Sequence, residues 1–259
     1  MRAIFETFLR YRYLLYNLIT RDLKVKYRRS VLGILWSLLN PIMLMLILSA
    51  VFSRIFRSGT EYFPVYLILG QTLFSFFNGA TSSALFSVVG ASALIKKIYV
   101  PKYIFPLEKI MFEFVNLLFS LVAAFLMIII FGVPFSWTML MFPIPLIAML
   151  IFVIGLGMFL ASLCVFFRDI QYLYSVILVA WTYLTPLFYP IEMLEGSWIY
   201  WIIKYQPLTC FITYFRNVVI YNTLPTLELN LLCFGYALFA LIFGFWFFKK
   251  NQDKFILHI

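Results

Sequence analysis

Few residues in this chain are suited to covalent or metal chemistry, and their spacing rules most of that chemistry out. The only histidine is His258, one position before the last of 259 residues. A histidine base or a His-ligated metal therefore has almost nothing to be built from. Cys164, Cys210 and Cys233 are odd in number and share no metal-ligand spacing, so neither a disulfide framework nor a zinc site follows. No G-x-x-x-x-G-K-[ST] occurs, which excludes that way of cradling nucleotide phosphates. The G-x-G at Gly155–Gly157 lies inside an apolar run and carries no nucleotide meaning. An enzyme acting on lipid-linked sugars would draw on Glu108, Glu192 and Glu195, but these form no paired arrangement. Glu108 and Glu113 fall near the start of an apolar stretch, where an acid marks an ion or proton path or pairs with a nearby lysine or interfacial water. No series of acids crosses such a stretch. An ion-coupled pump is therefore disfavoured, and directed transport would draw its energy from another chain. The expectation is no catalytic residue and no metal site.

The elements around these residues are those of an all-α integral membrane protein. The chain is 64% hydrophobic and 12% charged, with mean hydropathy +1.00, against about 25% charged residues in soluble domains. Roughly 20 apolar residues in a helix cross the ~30 Å hydrocarbon layer. Six stretches meet that need: Val31–Phe52, Phe63–Val89, Ile104–Phe131, Met141–Phe167, Tyr172–Phe188 and Leu227–Phe248. The net charge of +10 flanks these spans instead of forming a separate basic domain, so a nucleic-acid partner is not expected. Sixteen of the twenty Lys/Arg fall on the side of both termini; Arg54, Arg57, Lys204 and Arg216 fall on the other. The positive-inside rule puts both termini in the cytoplasm, and an even span count agrees. One transmembrane domain covers 1–259, with an interfacial segment at 1–30, a six-span bundle at 31–248 and a cytoplasmic tail at 249–259. The thirty mostly amphipathic residues before the first apolar run, without an A-x-A site, are unlike a cleavable signal peptide.

Within the first 24 residues, Ile4, Phe8, Tyr11, Leu15, Leu18 and Ile19 share one helix face and Arg2, Glu6, Arg10, Asn17, Arg21 and Lys24 the other. This fits a helix lying on anionic headgroups, or one packed on a protein partner. Asp22, Lys26 and Arg29 interrupt the apolar face, so the helix is expected to end or turn there. Pro41 interrupts the first span and predicts a kink near Asn40; prolines are also common in membrane helices without such a role. Ser75, Gly79, Ser83 and Ser87 form a small stripe, either for close helix packing or as a polar channel wall. The stretch "GASALIKKIYVPKYIFP" (Gly90 to Pro106) reads as a short helix ended by Pro101, with Ile95, Ile98 and Tyr99 as an apolar edge beside Lys96 and Lys97. It suits insertion into a cleft on a partner, or is an ordinary basic loop. The connection Tyr189–Thr226 is long and apolar. Ser197 can cap a short helix ending before Pro207, and a second helix fits Thr209–Tyr221. Both are too short or too polar to span, so two short re-entrant helices dipping into the outer leaflet are expected. Aromatics make up 21% of the chain. Trp36, Phe74, Phe77, Trp181 and Tyr183 lie within the spans, where they either fill the core and face lipid or line a pore whose ring faces let sugars slide past.

Three stretches, "RDLKVKYRRSVLGILWSLLNP", "IKKIYVPKYIFP" and "LTPLFYP" (Leu184 to Pro190), resemble the ABC-2 family of ABC transporter permeases. The nearest branch is the polysaccharide exporters, which include O-antigen and teichoic acid permeases. The resemblance covers nearly the whole chain. It implies a homodimer of six-span subunits in the cytoplasmic (inner) membrane, with two copies of a nucleotide-binding ATPase that carries ATP and Mg. It implies that the loop of Ile95, Lys96, Lys97, Ile98, Tyr99 and Pro101 is the coupling helix. The short external helices, with Trp198, Tyr200, Trp201 and Tyr205, would form an outer gate. The cargo would be a lipid-linked polysaccharide passing outward through a central pore. Beyond the resemblance, the kink near Pro41 and the break near Pro186 are expected to act as hinges that admit the lipid from the side. Two alternatives remain at this point: an ABC-2 exporter of a drug or small lipid, and a multi-span enzyme acting on lipid-linked sugars.

Overall fold

The computed structural model describes residues 2–28, 32–33, 35–52, 62–97 and 100–258. Among these residues every regular element is a helix. The α-helices are α1 (Arg2–Tyr27), α2 (Leu35–Phe52), α3 (Phe63–Gly90), α4 (Ser92–Ile95), α5 (Ile104–Ile130), α6 (Pro143–Phe166), α7 (Ile170–Leu184), α8 (Trp198–Tyr205), α9 (Pro207–Val219), α10 (Leu227–Asn251) and α11 (Phe255–His258). Prolines in the first turn start α3, α6 and α9, where a missing N–H costs nothing. Thr226 caps α10 by accepting from the Leu229 amide. Gly132, with φ 67°, ends α5, a left-handed conformation that suits glycine.

Among the described residues, five helical stretches are long and apolar enough to cross a membrane: Leu35–Phe52, Phe63–Gly90, Ile104–Ile130, Trp137–Phe166 and Leu227–His258. The expected span Tyr172–Phe188 is instead the 15-residue helix α7, about 22 Å long at 1.5 Å per residue. Its early end has a local cause. Thr185 precedes Pro186 and is extended (φ −87°, ψ 132°), as a residue before proline prefers. α1 ends at Tyr27, inside the stretch from Asp22 to Arg29 where an end was expected, although Asp22 itself does not stop it. The Asp22 carboxylate is ion-paired with Arg21 and with Lys109 of α5, so it ties the helix down without interrupting it.

α3 is the central helix and packs against α2, α5, α6, α7 and α9, while α6 runs along α10. That last crossing is very close. A Cβ on Gly244 would overlap the Gly155 backbone, and one on Gly155 would overlap the backbone of Ala240 and Leu241. The G-x-G of α6 thus has a packing meaning. One end of the bundle gathers α1, α4, the start of α5 and α11. Phe255 and Phe248 join Val88, Ile95, Phe105 and Val165 in a common cluster, and Lys102 donates to the Gln252 carbonyl. His258 stacks edge-on against Phe166, with ring centroids 5.0 Å apart. The other end gathers α8 and α9, with Thr138 donating to the Val218 carbonyl at 3.0 Å. α2 and α7 are the least covered of the long apolar helices, with Met45 the only buried residue of α2 and Tyr174 and Leu178 those of α7.

Candidate functional site

The break that ends α7 leaves backbone carbonyls without helical partners. Arg216 of α9 supplies them. Its Nη1 donates to the Pro186 carbonyl at 2.8 Å, and its Nη2 to the carbonyls of Leu187 at 3.2 Å and Tyr66 at 3.1 Å. The guanidinium lies 3.3 Å from the centroid of the Tyr66 ring. The Tyr66 hydroxyl in turn donates toward the carbonyls of Tyr189 at 3.0 Å and Pro186 at 3.3 Å. Arg216 is 3% exposed. Space for it exists because residue 70 is glycine: a Cβ there would collide with Nη2. A buried cation held by carbonyl dipoles and a ring face follows the same electrostatics as a cation at a helix C-terminus. The charge count places Arg216 on the outer side of the membrane, in a short helix dipping into the outer leaflet. The available signal was its position amid the apolar residues of "FITYFRNVVIY", which alone could not tell a buried arginine from an exposed one.

Pro186 is therefore held in a buried clamp. Around it, the Trp181 indole donates to Gln206 Oε1 at 3.0 Å, and Gln206 Nε2 donates to the Leu184 carbonyl at 2.8 Å. These bonds join α7 to the α8–α9 junction. Of the expected gate aromatics, Tyr205 donates to Glu228 Oε1 at 2.9 Å, which holds the phenol above its ordinary pKa. Tyr200, Trp201 and Tyr205 surround the Lys204 ammonium, 5.3–5.7 Å from the three ring centroids. Trp198 is 76% exposed and stands apart from them. Ser197 occupies the N-cap position of α8, but its side chain makes no capping bond.

The expected pore aromatics fall into two groups. Phe74 and Phe77 are buried within the subunit, and Phe77 packs edge-on against Trp181, with centroids 5.2 Å apart. Tyr183 and Trp36 are 70% and 46% exposed. Pro41 stands within a continuous α2. Having no N–H, it gives nothing to the Ser37 carbonyl, toward which the Ser120 hydroxyl of α5 points at 3.5 Å. In the loop expected to couple, Lys96 and Lys97 are exposed and Pro101 is half-buried, while Ile95 faces its own subunit beside Val88 and Phe105. Ile98 and Tyr99 lie outside the described residues. Beside this loop, burial raises the Asp22 carboxyl, but hydrogen bonds from Lys109 and Arg21 outweigh it and hold the group below the usual carboxylate range. Glu108 of the same cluster is buried with one carboxylate oxygen 3.3 Å from the Lys109 ammonium, the pairing with a nearby lysine that the sequence allowed.

A family profile described as ABC-2 type transporter matches residues 13–220. The chain belongs to that family. ABC-2 membership makes it a multi-pass membrane subunit of a transporter and not an enzyme. Two relatives from Klebsiella pneumoniae, both named O-antigen export system permease protein RfbA, are 30% and 29% identical over 246 residues, 93% of this chain and 93% of each relative. A Myxococcus xanthus protein of the same name is 27% identical over 219 residues, 84% of both chains. The ABC-2 match takes in the whole stretch from α2 to α9, so the Arg216 clamp and the exposed lysine loop both lie inside it.

Proposed function

We propose that this chain is the permease subunit of an ATP-driven exporter that moves a lipid-linked, O-antigen-like polysaccharide across the inner membrane. The observation that carries the reading is co-linearity with an O-antigen export permease over 93% of both chains. α7 acts as a sixth span completed by the chain that follows Pro186, which returns both termini to the cytoplasm. α1 lies along the inner membrane surface: Asn17, Arg21 and Lys24 are exposed while Leu15, Leu18 and Ile19 are half-buried. α8 and α9 are re-entrant and form the outer gate. A second copy of the chain covers the sparsely packed faces of α2 and α7, and the pathway runs between the two copies. Teichoic acid is the alternative glycan of the same class.

Without a phosphate loop of its own, the permease takes force from ATP and Mg on a separate ATPase, in two copies. The exposed Lys96 and Lys97, with Ile98, Tyr99 and Pro101, make that contact. Ile95 anchors the loop to the bundle from the inside. The test is complementation in a strain deleted for the chain's own gene. Wild type restores surface polysaccharide, whereas Ile98→Asp with Tyr99→Asp loses both export and co-purification of the ATPase. Full export by the double variant would exclude this loop as the docking point, and concentrative transport by the solitary chain in vesicles would end the subunit reading.

A further inference from the structure

Polar groups at membrane depth must be satisfied inside the protein or by something that enters it. Between α2, α3 and α5 lies a cleft of about 290 Å³ whose walls include Trp36, Gln71, Thr72, Ser75, Glu113 and Asn116. Glu113 stands nine residues into α5, roughly 14 Å along the helix axis from its first residue. Some of these groups bond to one another: Asn116 Nδ2 donates to Glu113 Oε2 at 3.1 Å, and Gln71 Nε2 donates to Ser75 Oγ at 3.3 Å. Others are left over. Gln71 Oε1 and the hydroxyl of Thr72 are buried without a hydrogen-bond partner, and Thr72 is 4% exposed.

Three occupants fit poorly. Side-chain packing leaves few voids larger than a water molecule, and this one has room for roughly ten at about 30 Å³ each. An acyl chain would strand the Gln71 and Thr72 oxygens in hydrocarbon, which costs free energy without return. A proton relay needs a series of titratable groups, and Glu113 is the only acid on the walls. What remains, beyond water itself, is a neutral ligand rich in hydroxyls. A carboxylate and three carboxamides, those of Asn40, Gln71 and Asn116, offer paired donors and acceptors for neighbouring hydroxyls, and an indole face suits the C–H face of a ring. The walls carry one charge of each sign, on Lys26 and Glu113, which also favours an uncharged ligand.

We propose that this cleft binds a neutral sugar ring of the transported chain. Glu113, Asn116 and Gln71 hydrogen-bond its hydroxyls, Thr72 completes the wall, and Trp36 covers one face; the assignment rests on the polysaccharide-export reading above. The test uses the full chain with its ATPase in the deleted strain. Ser75→Trp fills the cleft from an exposed position, while Gln71→Leu and Asn116→Leu remove hydroxyl partners. Each is expected to lower surface polysaccharide at least tenfold with ATPase co-purification retained. A second measurement decides the matter if these variants fold poorly. Ser75→Cys adds an exposed thiol to a chain whose own three cysteines are buried, and its labelling by a water-soluble methanethiosulfonate is followed in membranes. Labelling is expected to be at least threefold slower in cells that make the polysaccharide than in cells lacking its glycosyltransferases. Wild-type export by all three variants, or equal labelling in the two backgrounds, would overturn the sugar site. Failure of the wild-type chain to restore surface polysaccharide would instead overturn the export reading itself.

Discussion

Replacing Arg216 by Met keeps much of the side-chain volume and removes the guanidinium, so the clamp on the α7 break loses its centre. The bonds to Pro186 and Leu187 join separate elements, and a hydrogen bond involving a charged group contributes about 1.5–3 kcal/mol. With the bond to the Tyr66 carbonyl of α3, three such bonds set an upper bound of about 4.5–9 kcal/mol. The net loss is smaller, because removing a buried cation also removes the cost of desolvating it. The Tyr66 hydroxyl also remains near the Pro186 carbonyl at 3.3 Å. The expected destabilisation is about 2–4 kcal/mol, within the range of a broken buried network. Unfolding by denaturing detergent in mixed micelles measures it. Gly70→Ala is the companion variant that keeps the guanidinium and displaces it sterically. Its methyl would occupy the place of Nη2, so it should reproduce the Arg216→Met effect in wild-type context and add little on top of Arg216→Met. Tyr66→Phe retains the ring under the guanidinium and loses only the hydroxyl bonds, and should cost about 1 kcal/mol. If Arg216→Met unfolds within about 0.5 kcal/mol of wild type, as surface substitutions do, or Gly70→Ala is fully additive with it, the clamp does not hold α7.

Four further outcomes are expected. Gly244→Ala pushes a methyl into the Gly155 backbone and should cost about 1–3 kcal/mol by overpacking; Gly235→Ala on the same helix meets open space and should be neutral or stabilising by up to about 1 kcal/mol, both read by the same unfolding assay. Trp181→Ala loses a half-buried packed ring and its bond to Gln206 and should destabilise by less than loss of a fully buried tryptophan does, about 3–5 kcal/mol. Tyr183→Ala, at an exposed position, should leave stability within about 0.5 kcal/mol and reduce export, measured as surface polysaccharide. The Asp22 carboxyl titrates below its ordinary 3.8 in the folded chain, so its contribution is present above that value and is lost as pH falls through the lower folded one. Thermal stability followed from pH 6 to pH 3 should therefore show an acid-side loss that is reduced in Asp22→Asn.

Much of the helical layout was legible because its signals are local. Apolar length and proline placement gave α3, α5, α6 and α10 to within a few residues. Pro207 and the short apolar runs beside it gave the α8–α9 pair. α7 was drawn too long because hydropathy continues through "LTPLFY" while the backbone turns at Thr185. The site was harder to read, since aromatic residues look alike in sequence whether they face inward, as Phe77 does, or outward, as Tyr183 does. Ile95 was read as part of a docking edge for the same reason, and packs inward.

What the sequence determined by itself is the class of molecule. A chain this apolar and this poor in charge must form membrane helices, and three of its stretches carry the ABC-2 resemblance that the family profile bears out. Tertiary structure alone decided which polar residues are structural and which remain open. Arg216 and Glu113 are both charges among apolar residues, yet one is spent on the carbonyls that end α7 and the other lines a cleft with unpartnered oxygens. That difference comes from contacts between helices distant in sequence, and no periodicity within a single helix encodes it.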